Sequence, residues 1–126
     1  MNRHSHTGTS FLLGLAALFL PLASFGGDGA GSCNNSASGF CNEFTGSSYK
    51  AERVKRSCKR QGGAFLTSAC PTEGRIGTCR VNNGRNDESL YRYYTNFPGF
   101  GVKPKGGATT AAERQCVKLK GEWIPN

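Results

Sequence analysis

The hydrophobic positions of this chain fall into two regimes. From Phe11 to Leu20 they form an unbroken run (FLLGLAALFL), preceded by the polar, Arg3-bearing segment 2–10 and followed by Pro21 and small residues. That arrangement predicts a signal peptide, cut after Gly26 because Ser24 and Gly26 supply the small residues that cleavage requires. A membrane-spanning helix would need about 20 apolar residues, whereas the run from Phe11 to Phe25 reaches only about 15 and contains Pro21. No transmembrane anchor is therefore expected after signal cleavage.

Beyond Asp28 apolar residues are sparse, and their spacing marks short elements. Apart from Asp28 and Cys33, segment 27–39 is Gly, Ser, Asn and Ala and predicts a flexible leader, with order starting near Phe40. Phe40 to Gly46 predicts an extended lead-in to a helix running from about Tyr49 to Arg60, capped by Ser47 or Ser48 and stopped at Gly62-Gly63. At 100° per residue, Ala51, Val54 and Cys58 share one narrow face of that helix. Three strand candidates follow, Ala64 to Ser68, Gly77 to Asn82 and Leu90 to Thr95, with a turn at Asn83-Gly84. A Gly/Pro loop from Asn96 to Gly107 leads to a second helix opening on Thr110-Ala111-Ala112-Glu113, a capping box, and ending at Gly121. Trp123-Ile124 closes the chain as a short strand.

The two helix ends share a pattern. Gly63 and Phe65 follow Cys58 at the same offsets as Gly121 and Trp123 follow Cys116. Duplication would produce this, and so would convergence on one kind of helix-to-strand turn. Either way, the expected fold is a small disulfide-rich α+β domain over residues 40–126, two helices packed on a short antiparallel sheet of three to four strands.

Six cysteines (Cys33, Cys41, Cys58, Cys70, Cys79, Cys116) all lie beyond the expected cut. An even number in a short exported chain predicts disulfides in an oxidising compartment, secreted or periplasmic. With 18 glycines to order and little core, the domain needs such staples. Six cysteines permit fifteen pairings; Cys70 with Cys79 across a short hairpin is the pair expected here. Zinc is not expected, because no Cys-x-x-Cys occurs and the only histidines, His4 and His6, belong to the leader. Cys33 also raises lipidation, and with it a membrane-anchored lipoprotein, but polar Asp28 and the small residues 30–32 before it fit acylation poorly.

The run Cys41-Asn-Glu-Phe44-Thr-Gly46, Cys58 with Gly62-Gly63, Cys70-Pro71, Gly77-Thr-Cys79, Tyr93-Tyr94 and Cys116 with Gly121-Glu-Trp123 resembles a pattern in small bacterial secreted proteins and lipoproteins. The resemblance spans Cys41 to Trp123. It implies an extracytoplasmic location and no particular reaction.

Charge and candidate chemistry refine this picture. Sixteen basic residues face eight acidic ones; only Arg3 precedes the cut, so the mature chain carries +7. Six bases, Lys50, Arg53, Lys55, Arg56, Lys59 and Arg60, crowd onto the first helix and make a candidate surface for an anionic polymer, nucleic acid or membrane. Tyr91, Tyr93, Tyr94, Phe97 and Phe100, near Arg92, Lys103 and Lys105, form a candidate aromatic surface for stacking or carbohydrate. Nucleophilic catalysis has no histidine base beyond the leader. Carboxylate-dependent hydrolysis would draw on Glu43, Glu52, Glu73, Asp87, Glu88, Glu113 or Glu122, whose positions mostly suit helix first turns and loops. No phosphate-cradling loop is present and no cofactor is implied. The sequence thus points first to an exported, non-enzymatic structural or interaction module, with a basic binder of anionic surfaces, toxin-like or antimicrobial in character, as the alternative.

Overall fold

A computed structural model describes residues 29–126; the expected signal peptide and the expected cut after Gly26 lie outside this range. The described chain runs β1 (Ser32–Asn35), β2 (Phe40–Phe44), α1 (Ala51–Arg60), β3 (Ala64–Leu66), β4 (Arg75–Val81), β5 (Ser89–Tyr94), α2 (Gly107–Lys118) and β6 (Glu122–Pro125), with a 3-10 turn at Ser36–Ser38. The fold is α+β and disulfide-rich as expected. The sheet, however, has six antiparallel strands in the order β3-β1-β2-β5-β4-β6, not three to four.

One added strand, β2, is the extended lead-in to the first helix; the other, β1, comes from the segment expected to be loose. Ser32–Asn35 lacks large apolar residues, yet it lies between β2 and β3 and buries Ser32 and Cys33. Pairing on both edges and the disulfide of Cys33 to Cys58 supply the order that its composition does not.

Directly paired residues share a face of a sheet, so the ladders place Phe65, Cys33, Asn42, Tyr91, Cys79 and Trp123 in one row across all six strands. Cys33 bonds to Cys58 on α1 and Cys79 bonds to Cys116 on α2, which fixes both helices on that face. Cys41, Glu43, Leu90 and Arg92 point to the other face, where Cys41 bonds to Cys70 in the β3–β4 connection. The expected Cys70–Cys79 pair is therefore wrong. Cys79 faces the helices, whereas Cys70 crosses beneath the opposite side of the sheet.

Half of the molecule repeats the other. β1-β2-α1-β3 and β4-β5-α2-β6 have the same topology, and β2 pairs with β5 around a pseudo-two-fold axis at Asn42 and Tyr91. Both helices finish in the same hydrogen-bonded turn: Gly62 N–H donates to Lys59 O at 3.1 Å and Gly63 N–H to Cys58 O at 3.0 Å, matched by Lys120 to Val117 and Gly121 to Cys116, both at 3.0 Å. A Cβ on Gly63 or Gly121 would run into the disulfide sulfurs beside it, so close approach requires glycine at both places.

The helix starts differ from expectation. α1 begins after Lys50 rather than at Ser47 or Ser48. α2 begins after Gly106, which puts Thr110 inside the helix and leaves no capping box at the start. The main core lies under α2, where Cys79, Tyr93, Ala112 and Cys116 are buried and Phe40, Phe97, Leu119 and Trp123 pack around them.

Candidate functional site

Helix α1 buries only Val54 and Cys58, one turn apart on the sheet side. Every other α1 side chain except half-buried Ser57 is exposed, including Arg53, Lys55, Arg56, Lys59 and Arg60, as is Lys50 at the N-cap. Arg53, Arg56 and Arg60 follow i, i+3, i+7 spacing, and Lys55 and Lys59 are one turn apart beside them. The predicted basic residues are thus brought together on one helix surface.

The ion pairs among the described residues are Arg85–Asp87 and Arg92–Glu43, and neither involves α1. Lys55 with Lys59 and Arg56 with Arg60 are like-charge i, i+4 pairs, each costing the helix about 0.2–0.5 kcal/mol. The Cys33–Cys58 bond, buried at both ends, holds the helix on the sheet despite this repulsion. Glu52 in the first turn and Lys59 and Arg60 in the last complement the helix dipole and offset part of the cost.

The predicted aromatic surface is divided by the fold. Tyr93 is the largest fully buried side chain, and Phe97 stands edge-on to it with ring centroids 4.8 Å apart. Tyr91 is half-buried on the helix face and Tyr94 on the opposite face; burial raises the hydroxyl pKa of both. Phe100, 80% exposed, is on the loop before α2, with Val102 also exposed. The five rings therefore form no single platform.

Of the seven acids singled out in the sequence, Glu43, Asp87 and Glu88 are committed to structure. Glu43 and Arg92 occupy equivalent positions of the two halves and form a two-pronged pair across the axis, Nε to Oε1 and Nη2 to Oε2, each at 3.1 Å. Glu43 Oε1 also accepts the Cys70 N–H at 3.0 Å, and Arg92 Nη1 donates to Thr78 Oγ1 at 2.8 Å. The Gly84 N–H and the Thr45 hydroxyl donate to Glu88 and lower its pKa. Asp87 pairs with Arg85 and accepts from Asn82. Glu52, Glu73, Glu113 and Glu122 are exposed.

Three disulfides and no free cysteine suit an oxidising compartment. Cys33 offers no thiol for an acyl chain, because its sulfur is bonded to Cys58. Among the described residues no His, Cys, Asp and Glu cluster is arranged to hold a metal, and no helix is long and apolar enough to cross a membrane.

Sequence reasoning missed a cleft on the face opposite the helices, walled by segments 34–36, 71–74 and 94–96. Of its residues Tyr94, Glu73 and Pro71 stand out in the sequence, for other reasons, because long-range pairing alone assembles the walls. No family model, curated protein or solved structure matches this chain, and its functional reading rests on its own residues and geometry.

Proposed function

We propose that the protein is an exported, non-enzymatic binding module that presents α1 as a rigid cationic surface to an anionic polymer outside the cytoplasm. The carrying observation is the cluster of five bases on α1, with Lys50 at its N-cap, that makes no ion pair among the described residues, on a helix held to the sheet by a buried disulfide. Such density costs stability in the free protein and is relieved when phosphate, sulfate or carboxylate groups approach. The narrow apolar side of α1 is occupied by the sheet and has nothing left to insert into a bilayer, which favours a polymer over a membrane. Carboxylate-dependent hydrolysis is the weaker reading, since Glu43, Asp87 and Glu88 are engaged by structural partners.

The test is a salt gradient on immobilised heparin with the mature, disulfide-bonded protein. Retention should fall when Arg53, Lys55, Arg56 and Lys59 are changed together to Gln, and the log–log salt slope should drop by about one for each anion-binding cation removed. Changing Arg114 and Lys118 on α2 should move the elution less. If the α1 variant elutes with the parent protein, the proposal fails.

A further inference from the structure

The face opposite the helices carries a cleft of about 270 Å³ lined by Asn34, Ser36, Glu73, Tyr94, Thr95 and Asn96, with Pro71 and Gly74 in its wall. It arises where the two halves stop matching. Four residues connect β1 to β2, whereas seven connect β4 to β5. In the second half that longer connection folds back onto residues 45–48: Gly46 N–H donates to Glu88 O at 2.8 Å and Ser48 N–H to Asn86 O at 2.8 Å. The shorter connection of the first half leaves the corresponding space open. The β3–β4 connection, which has no counterpart after β6 in the described chain, then supplies one wall.

That wall is built to hold its shape. Cys70 is bonded to Cys41 and its N–H donates to the buried Glu43. Arg75 Nη2 donates to Cys70 O at 3.1 Å and Pro71 O at 2.8 Å, the Tyr94 hydroxyl donates to Pro71 O at 2.7 Å, and Thr95 N–H donates to Gly74 O at 3.1 Å. Fixed walls reduce the entropy lost when a ligand is ordered between them.

The lining chemistry selects a ligand class. No basic side chain lines the cleft, Arg75 being bound to the backbone of its wall, and Glu73 makes no ion pair among the described residues, so nothing in the lining itself selects an anionic group. Its donors and acceptors are amides, hydroxyls and one carboxylate. Asn96 Nδ2 is committed to Ser36 O at 2.8 Å, which leaves its side-chain oxygen as an acceptor; Asn34, Ser36 and Thr95 can donate as well as accept. Side-chain donors and acceptors on both sides of the cleft suit the hydroxyls of a sugar, and the half-buried Tyr94 ring with exposed Pro71 offers an apolar surface for its C–H face. The volume lies below the roughly 300–1,000 Å³ of pockets for drug-sized ligands and suits a single ring.

We infer that this cleft is a saccharide subsite that holds one uncharged pyranose unit between the β3–β4 connection and the end of β5. It lies across the sheet from α1 and stands independently of the anionic-polymer reading.

The test is a titration of the isotopically labelled, disulfide-bonded protein with uncharged oligosaccharides, cellotriose and chitotriose, followed by amide chemical shifts. Saturable shifts at residues 34–36, 71–74 and 94–96 with at least one of them, at millimolar affinity, are expected. Glu73→Gln and Asn34→Ala, at positions that are not buried, should each weaken binding about tenfold while leaving the remaining amide spectrum unchanged. The α1 quadruple variant should bind the sugar as the parent does. Absence of saturable shifts with both sugars up to about 50 mM, shifts centred elsewhere, or variants that bind like the parent would overturn the assignment.

Discussion

The two halves of this domain share one path through space and differ in what they place along it. In the second half, Tyr93, Ala112, Cys116, Leu119 and Trp123 build the main core beneath α2. In the first half the matching positions hold Phe44, Val54, Cys58, Gln61 and Phe65; Val54 and Cys58 are buried, against Tyr93, Ala112 and Cys116 in the second half, and exposed Gln61 stands where half-buried Leu119 packs. The second half buries the larger side chains, the first carries the charged helix, and the cleft opens between the two. A repeated frame thus allows one copy to be loaded with features that would weaken a lone domain, because the shared β2–β5 ladder ties it to the stronger copy.

The largest expected effect comes from removing the link between them. Glu43→Ala leaves Arg92 partly buried without its carboxylate and the Cys70 N–H without its acceptor, and should destabilise the protein by about 3–5 kcal/mol in urea unfolding. Next, Tyr93→Ala should cost about 3–5 kcal/mol, while Phe44→Ala at the equivalent position should cost clearly less. Equal losses would erase the asymmetry between the halves.

The frame itself is tested at the glycines. Gly63→Ala and Gly121→Ala should each cost about 1–3 kcal/mol, since either methyl collides with a disulfide. A smaller effect separates the helix ends: Gly62 and Lys120 are equivalent left-handed positions, with φ of 76° and 55°. Lys120→Gly should stabilise by about 0.5–1 kcal/mol, and Gly62→Lys should lose a similar amount.

Alkaline pH adds a further distinction. Burial raises the pKa of Tyr91, Tyr93 and Tyr94, all in β5, above the ordinary value of 10.0. Their contribution is complete below that value and is lost as pH rises through it, because the unfolded chain then releases protons that the folded one retains. Stability measured by denaturant should therefore fall above pH 10, and Tyr93→Phe should reduce the slope of that fall.

Legibility from sequence followed the range of the interactions. Both helices, the strands β3, β4, β5 and β6 and the glycine stops were visible because caps, turns and periodicity are local. Even there, Thr110 misled: a capping box is a local signal, and Gly106 in the left-handed region starts the helix one turn earlier. The basic patch was visible because consecutive turns of one helix carry it. The aromatic patch was not real as a unit, since Tyr93 and Tyr94 necessarily point to opposite faces of one strand.

By itself the sequence determined that the chain has six cysteines suited to an oxidising compartment, a charge of +7 beyond the expected cut, two helices and repeated glycine stops. Tertiary structure decided the rest: that Ser32–Asn35 is a strand between β2 and β3, that Cys41 pairs with Cys70, that Glu43 meets Arg92, and that a cleft opens beside Tyr94. Each of these depends on strand register between residues far apart in the chain. Register is set by the sum of many weak cross-strand contacts and shared burial, which no local stretch of sequence contains.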